Sequence, residues 1–164
     1  MTSPDDWLIE QLAQKHDQND TTNFKVLDFV AAFGSPLDAV MYTRLFWPEF
    51  VEIDDMILLG SVIESEEDKH NLRNTLRNYN GDRCKTERDF NFIEIPSHVF
   101  SSYRIAECTE SLSYYLVTVI SEMWASRLHM TYPDRRFSVC VLSPEDTGGE
   151  YGIVFHQGEQ QRCQ

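Results

Sequence analysis

The sequence predicts a single α+β domain in which several helices pack on a small, mainly antiparallel sheet. Apolar residues at helical spacing occur in segments before, between and after short segments whose apolar residues alternate. The alternating segments come in neighbouring pairs joined by turn-rich stretches, as antiparallel hairpins do, and not singly between helices. With 164 residues, 41% apolar and 12% aromatic, the chain has the size of one domain and enough apolar surface for a core.

The N-terminal part of the chain is predicted to contain an arm followed by a helix. Residues 1–22 form the arm, separate from a globular part at 23–164, and the arm includes a short helix from Asp5 to Lys15. Phe24 to Phe33 is predicted as the next helix, because its apolar residues repeat at intervals of three and four. Gly34 then stands where a C-cap glycine is expected.

A further helix and a hairpin are predicted between residues 35 and 63. Ser35 is a typical N-cap before the proline that opens the helix, and Pro48 stops this helix after Trp47. Residues 50–63 alternate imperfectly on either side of the pair Asp54 and Asp55, which predicts a hairpin or one bent strand.

The middle of the chain is predicted to contain a surface helix and a short edge strand. Ser65 opens the helix, acids fill its first turn, and Asn80 with Gly81 closes it; its narrow apolar stripe predicts a surface position. Residues 82–100 are predicted as a short edge strand or an ordered loop, because Pro96 is tolerated only at sheet edges or strand ends.

The C-terminal part is predicted to contain a long buried helix and a hairpin. The helix runs from Thr109 to about Met130 and has a wide apolar face, which predicts a central position. This face is predicted to comprise Leu112, Leu116, Val119, Met123 and Met130, reinforced by Tyr115, Ile120 and Trp124. Residues 137–141 and 151–155 alternate, and the turn-rich stretch 143–150 joins them as a hairpin.

Composition and the N-terminal sequence predict a soluble cytoplasmic protein. The first residues lack the basic and apolar regions of a secretion signal, and no run approaches the roughly 18 apolar residues of a membrane span. The net charge of −13 excludes nucleic acid as the expected ligand, because phosphate binding depends on clustered Lys and Arg. Free thiols are expected, since the four cysteines are scattered without a close pair: Cys84, Cys108, Cys140 and Cys163.

The charge is unevenly distributed along the chain. Residues 45–68 contain eight acids and no Lys or Arg, whereas residues 69–88 contain six bases and two acids. One interpretation is that acids start a helix, bases end it, and each stretch screens the other. The functional interpretation is an acidic surface that attracts a basic partner, because a field of one sign accelerates encounter with the opposite sign.

Aromatic residues run directly into these acids and form the candidate partner-binding site. Large rings serve as anchors at protein interfaces, and carboxylates pair there with Arg or Lys of the partner. The alternative interpretation is a core helix followed by an outward-facing acidic strand edge. The candidate residues are Tyr42, Phe46, Trp47, Glu49, Glu52, Asp54 and Asp55.

No spacing of cysteines, histidines or glycines predicts a metal site, a cofactor or a nucleophilic centre. Glu94 and Glu122 each have apolar neighbours in sequence, which leaves open a small carboxylate-dependent hydrolase or transferase. The sequence favours a non-enzymatic module that binds a basic protein, as an immunity protein or a small chaperone does. A structural or self-associating subunit is the third alternative.

Overall fold

The structure is a computed structural model and describes residues 4–15, 25–95, 97–99 and 109–158. Within these ranges helices pack on two small antiparallel sheets, which confirms the predicted α+β class. The contacts group the chain into two compact units, Met1–Thr43 and Arg44–Gln164. The division between an arm at residues 1–22 and a globular part at 23–164 stays a prediction.

In the described part of the first unit three helices begin: α1 (Pro4–Lys15), α2 (Val26–Phe33) and α3 (Pro36–Phe46). They follow the predicted order, although Phe24 lies outside the described residues. Gly34 ends α2 by donating its N–H to the carbonyl of Val30 at 2.9 Å. A side chain at this position would place its Cβ only 2.4 Å from that oxygen, so the close approach requires glycine.

The second unit opens with the hairpin of β1 (Phe50–Ile53) and β2 (Met56–Leu59), which pair antiparallel. Asp54 and Asp55 form its turn with φ values of +51° and +69°. Two-residue turns with both central residues left-handed match the twist of the flanking strands. The structure therefore contains a hairpin and not one bent strand.

The larger sheet has three strands, with β5 (Tyr151–Gln157) between β3 (Ile93–Ile95) and β4 (Phe137–Leu142). Both pairings are antiparallel. The edge strand predicted within residues 82–100 and the C-terminal hairpin are thus confirmed, while Pro96 lies outside the described residues.

In the described part of the second unit there are four further α-helices: α4 (Glu66–Asn78), α5 (Arg83–Phe90), α6 (Glu110–Thr131) and the short α7 (Pro144–Thr147). The sequence did not predict α5 in the stretch assigned to a strand or loop. Its buried residues are Thr86 and Glu87, so this helix has no buried apolar stripe from which to recognise it. The short α7 occupies the connection predicted as turn-rich.

The buried face of α6 includes Ile120 and Trp124 of the predicted face but differs from it in its other residues. Met130, placed on the buried face by the sequence, is 67% exposed, and Tyr115 is exposed as well. Apolar residues occur on nearly every side of this helix, so their spacing does not select the side that meets the sheet. The buried face consists of Ser113, Val117, Ile120, Trp124 and Leu128.

The core of the second unit lies on both sides of β2. Ile57 and Leu59 point into the main cluster, which also contains the buried face of α6 and the side chains of Ile153 and Phe155 on β5. Alternate residues of β2 point the other way and pack with Leu72 of α4 in a second cluster. Burial on both faces explains why β2 is a continuous apolar run.

Candidate functional site

The three aromatic residues of the predicted site have different environments. Tyr42 lies on α3 within the first unit and is 43% exposed. Phe46 ends α3 and packs against the main core of the second unit. Trp47 follows it, 37% exposed, with the guanidinium of Arg127 at 5.4 Å from its ring centroid. Phe46 is thus half-buried against the core, and Trp47 already has a cation over its ring.

The four predicted acids, here called the hairpin acids, all lie on the surface at or near the β1–β2 hairpin: Glu49, Glu52, Asp54 and Asp55. Each of them is ion-paired with an arginine of this chain. The pairs are Arg44 with Glu49 at 2.8 Å, Arg73 with Asp54 at 3.0 Å, Arg83 with Asp55 at 3.0 Å, and Arg135 with Glu52 at 2.5 Å. We call these four partners the hairpin arginines.

Arg135 is the most constrained of the hairpin arginines. Besides Glu52 it contacts Asp55 at 3.5 Å, and it donates a hydrogen bond to Gln157 at 3.1 Å. Its guanidinium also lies 5.7 Å from the ring centroid of Tyr132. The hydrogen bond to Glu52 raises the pKa of Arg135. The side chain therefore joins β1, the hairpin turn and β5 through one cation.

The tertiary structure thus places basic residues from distant positions against the acid-only stretch. Arg73 and Arg83 come from the basic stretch 69–88, so the two oppositely charged stretches do screen each other. Exposed pairs of this kind contribute about 0–1 kcal/mol each, because water competes with both charges. No spacing in the sequence identifies these arginines as partners, because Arg83 is 28 residues from Asp55.

The remaining acids of the stretch belong to the start of α4. The carboxylate of Asp68 accepts hydrogen bonds from the backbone N–H groups of Ser65 at 2.8 Å and Glu64 at 3.0 Å. It also accepts one from the Ser65 hydroxyl at 2.7 Å, and these bonds lower the pKa of Asp68. Glu66 pairs with Lys69 at 2.6 Å. This end of the acidic stretch therefore caps a helix.

Two buried polar residues of α5 and its C-cap close the free edge of β2, and we call them the polar clamp. Glu87, 0% exposed, accepts hydrogen bonds from the backbone N–H groups of Ile57 and Gln157, both at 2.7 Å. Asn91, also 0% exposed, accepts one from the N–H of Leu59 at 3.0 Å and donates one to the carbonyl of Ile57 at 2.9 Å. The clamp therefore satisfies backbone groups that a neighbouring strand would otherwise bond.

The two candidate catalytic carboxylates lie on different elements. Glu122 is exposed on α6, and Glu94 on β3 lies 3.6 Å from His98. Glu122 therefore has no apolar enclosure, and the hydrolase or transferase alternative stays a prediction.

The two described cysteines, Cys84 and Cys140, differ in oxidation state. Cys84 has a free thiol 3.1 Å from Nδ1 of His156, and burial, followed by the nearby acids, raises the pKa of this thiol. A raised pKa disfavours the thiolate that a nucleophile requires. Cys140 is disulfide-bonded, so the expectation of free thiols is wrong for it. Spacing along the chain does not show which cysteines meet in space.

Within the described ranges no group of three or more His, Cys, Asp or Glu side chains could hold a metal ion. None of the helices described is long and apolar enough to cross a membrane. Disulfides are typical of oxidising compartments, so the cytoplasmic location stays a prediction. The chain matches no family model, no curated protein and no solved structure.

Proposed function

We propose that this chain is a non-enzymatic protein-binding module that presents an acidic surface to a basic protein partner. The observation that carries the proposal is the exposure of the hairpin acids, whose side chains are between 44% and 74% exposed and are held by surface ion pairs. The net charge of −13 adds a long-range field that steers a basic protein towards the chain.

Binding in this proposal is an exchange of cations at the hairpin. Each exposed pair contributes only about 0–1 kcal/mol, so breaking it costs little. A partner arginine that becomes desolvated against Asp54 or Asp55 gains a stronger, charge-assisted hydrogen bond. The displaced Arg73 and Arg83 stay on the surface, where water solvates their charge.

This exchange predicts opposite effects for the two sides of each pair. Asp54→Asn combined with Asp55→Asn should weaken partner binding, because the acids are the partner's targets. Arg73→Gln combined with Arg83→Gln should strengthen it by up to about fivefold for each pair, because the competing cation is removed. If the partner does not bind at the hairpin acids, the acid variants and the arginine variants should not have these opposite effects on its affinity.

The experiment begins with affinity capture on the immobilised chain at low and high salt, followed by identification of the bound protein. The affinity of the purified partner for each variant is then measured by calorimetry. Glu145→Gln on α7 is the matched control, since it removes one exposed acid beyond the other end of β5, a strand about 20 Å long. The proposal would be overturned if the affinity did not depend on salt concentration and neither double variant changed it.

A further inference from the structure

β4 lies at one edge of the larger sheet, and its outer side faces no strand among the described residues. Gly158 donates its N–H to the carbonyl of Arg136 at 3.0 Å, which continues the β4–β5 register by one residue. Antiparallel strands bond through alternate residues, so Arg136 and every second residue after it direct their backbone groups towards β5. The residues between them direct theirs away from β5, and they are Phe137, Val139 and Val141.

The hydrogen bonds of β5 support this alternation. Phe155 and Gln157 lie opposite Val139 and Phe137, and both bond on the side away from β4, to the polar clamp. The outward N–H and C=O groups of β4 make no hydrogen bond with any residue that the structure describes. This outer side of β4, which we call the open edge, therefore offers a row of backbone donors and acceptors to another strand.

The open edge lacks the features that protect two other strand edges of this chain. The polar clamp closes β2, and β3 has only three residues and is followed by Pro96. β4 has six residues, FSVCVL, without a charge or a proline. Proteins shorten, charge or cover their edge strands because an unprotected edge pairs with a further strand. The open edge is thus suited to strand addition.

A groove of about 660 Å³ is lined by the start of β4 and by α6. Its walls include Phe137 and Val139 of β4 and Ala125 and His129 of α6. Phe137 and Val139 also pack against the main core, which contains the buried face of α6. A strand added at the open edge would place alternate side chains in this groove.

The chain carries charges of opposite sign at the two ends of β4. Arg135 and Arg136 precede the strand, whereas Glu145 and Asp146 follow it in α7. Hydrogen bonds from Ser143 lower the pKa of both acids, which favours their charged form. No cation of the described residues contributes to either shift. β4 therefore has a basic end and an acidic end, and two antiparallel copies of it would bring opposite charges together.

We propose that two copies of the chain associate through their open edges, with β4 of one copy antiparallel to β4 of the other. A register centred on Val139 sets this residue opposite itself and Phe137 opposite Val141, so every outward backbone group obtains a partner. The facing side chains form apolar cross-strand pairs on the α6 side of the sheet, where the groove lies. The three-stranded sheets of the two copies then form one continuous antiparallel sheet.

The local order of charges favours a second copy over an unrelated strand. In this register Arg136 of one copy lies opposite Leu142 of the other, at the start of the connection to α7. Leu142 and Val154 line a cavity with Asp146, so α7 lies on the face of the sheet to which Arg136 points by alternation. Each arginine is therefore placed beside the α7 acids of the other copy. The inference goes beyond the proposed function and does not depend on it.

The first test measures association and locates it on the chain. Sedimentation velocity of the full-length protein over a range of concentrations should show a reversible monomer–dimer equilibrium. High salt is used because it screens the repulsion between two chains of charge −13. Amide hydrogen exchange followed by NMR should slow at Phe137, Val139 and Val141 as the dimer forms. The amides of Ser138 and Cys140, which point to β5 in each copy, should not respond to concentration.

Variants then test the register and the charge pairing. Val139→Pro removes an outward N–H and leaves the bonds to β5, so it should weaken the dimer about thirtyfold through the loss of one hydrogen bond from each copy. Arg136→Glu and Glu145→Arg should each weaken it about tenfold, and their combination should restore it. Glu67→Arg is the matched control for charge, because Glu67 is exposed on α4, which packs against the smaller sheet.

Circular dichroism establishes that each variant is folded, and the charge exchange tests the interface without a proline. A chain that is monomeric at every concentration would overturn the inference. A dimer that neither Val139→Pro nor the single charge reversals weaken, or one that leaves exchange at the outward amides unchanged, would place the contact elsewhere and overturn it as well. None of these outcomes involves the hairpin acids, so the proposed function is tested separately.

Discussion

Replacing Asn91 with aspartate tests the polar clamp by changing one buried group from an amide NH₂ to a carboxylate oxygen. Nδ2 of Asn91 donates hydrogen bonds to the carbonyls of Ile57 at 2.9 Å and Phe155 at 3.3 Å, and the residue is 0% exposed. After Asn91→Asp an oxygen faces both carbonyl oxygens. Burial and this repulsion should raise the pKa of the introduced carboxyl well above its usual range.

The size of the effect follows from the proton that the carboxyl must take up. Neutralising a group with an ordinary pKa near 3.9 costs about 4 kcal/mol at pH 7 and about 1.5 kcal/mol at pH 5. The neutral acid donates one hydrogen bond where the amide donates two, which adds about 1 kcal/mol. We therefore expect Asn91→Asp to lower the free energy of unfolding by about 5 kcal/mol at pH 7 and about 2.5 kcal/mol at pH 5.

The sign of the pH dependence is part of the prediction. Because the folded-state pKa is raised, the penalty is absent below the unfolded-state pKa and grows as the pH rises towards the folded-state value. Urea denaturation followed by tryptophan fluorescence measures it, since Trp124 is buried in the core. Asn71→Asp on the exposed side of α4 is the matched control and should stay within about 0.5 kcal/mol of the wild type. A loss below about 1 kcal/mol at pH 7, or one equal at both pH values, would refute the clamp.

Three further predictions concern packing, a helix cap and a thiol. Gly152→Ala should cost about 1–3 kcal/mol in urea denaturation, because its Cβ would lie 2.7 Å from Cε2 of Phe92; a neutral result would contradict this packing. Ser65→Ala should raise the pKa of Asp68 in an NMR titration, since the bonds from Ser65 lower it in the wild type. The stability that Asp68 contributes is present above its unfolded-state pKa and is lost as the pH falls through its lower folded-state pKa. An Asp68 titration that Ser65→Ala leaves unchanged would refute the cap. Cys84 should be alkylated more slowly at pH 7 than an unstructured thiol, because burial raises its pKa, and an equal or faster rate by peptide mass spectrometry would contradict this.

Local sequence signals located most elements, because these signals act over a few residues. The proline after Ser35 starts α3, and Thr109 caps α6 by accepting the N–H of Leu112 at 3.2 Å. The alternation around Asp54 and Asp55 located the β1–β2 hairpin. Turns, caps and strand alternation depend on residues that are neighbours in sequence, so these elements can be predicted without knowledge of the fold.

The elements that sequence reasoning missed depend on contacts between distant residues. In α5, Glu87 is buried because Ile57 and Gln157 donate to it, and these donors lie 30 and 70 residues away. Charged residues are almost never fully buried without such partners, so a helix that buries Glu87 has no recognisable pattern. The buried side of α6 is chosen in the same way, by the position of the sheet and not by the helix.

In the candidate site, too, some features follow from the sequence and others from contacts between distant residues. The sequence by itself determined that the chain is strongly acidic and that eight of its acids fall between residues 45 and 68, and it predicted a hairpin or one bent strand around Asp54 and Asp55. Only the tertiary structure decided that each hairpin acid meets an arginine, since Arg135 reaches Glu52 across 83 residues. The net charge of a segment is a sum over its sequence. The electric field at a surface depends on distances between charges in space, and only folding sets those distances.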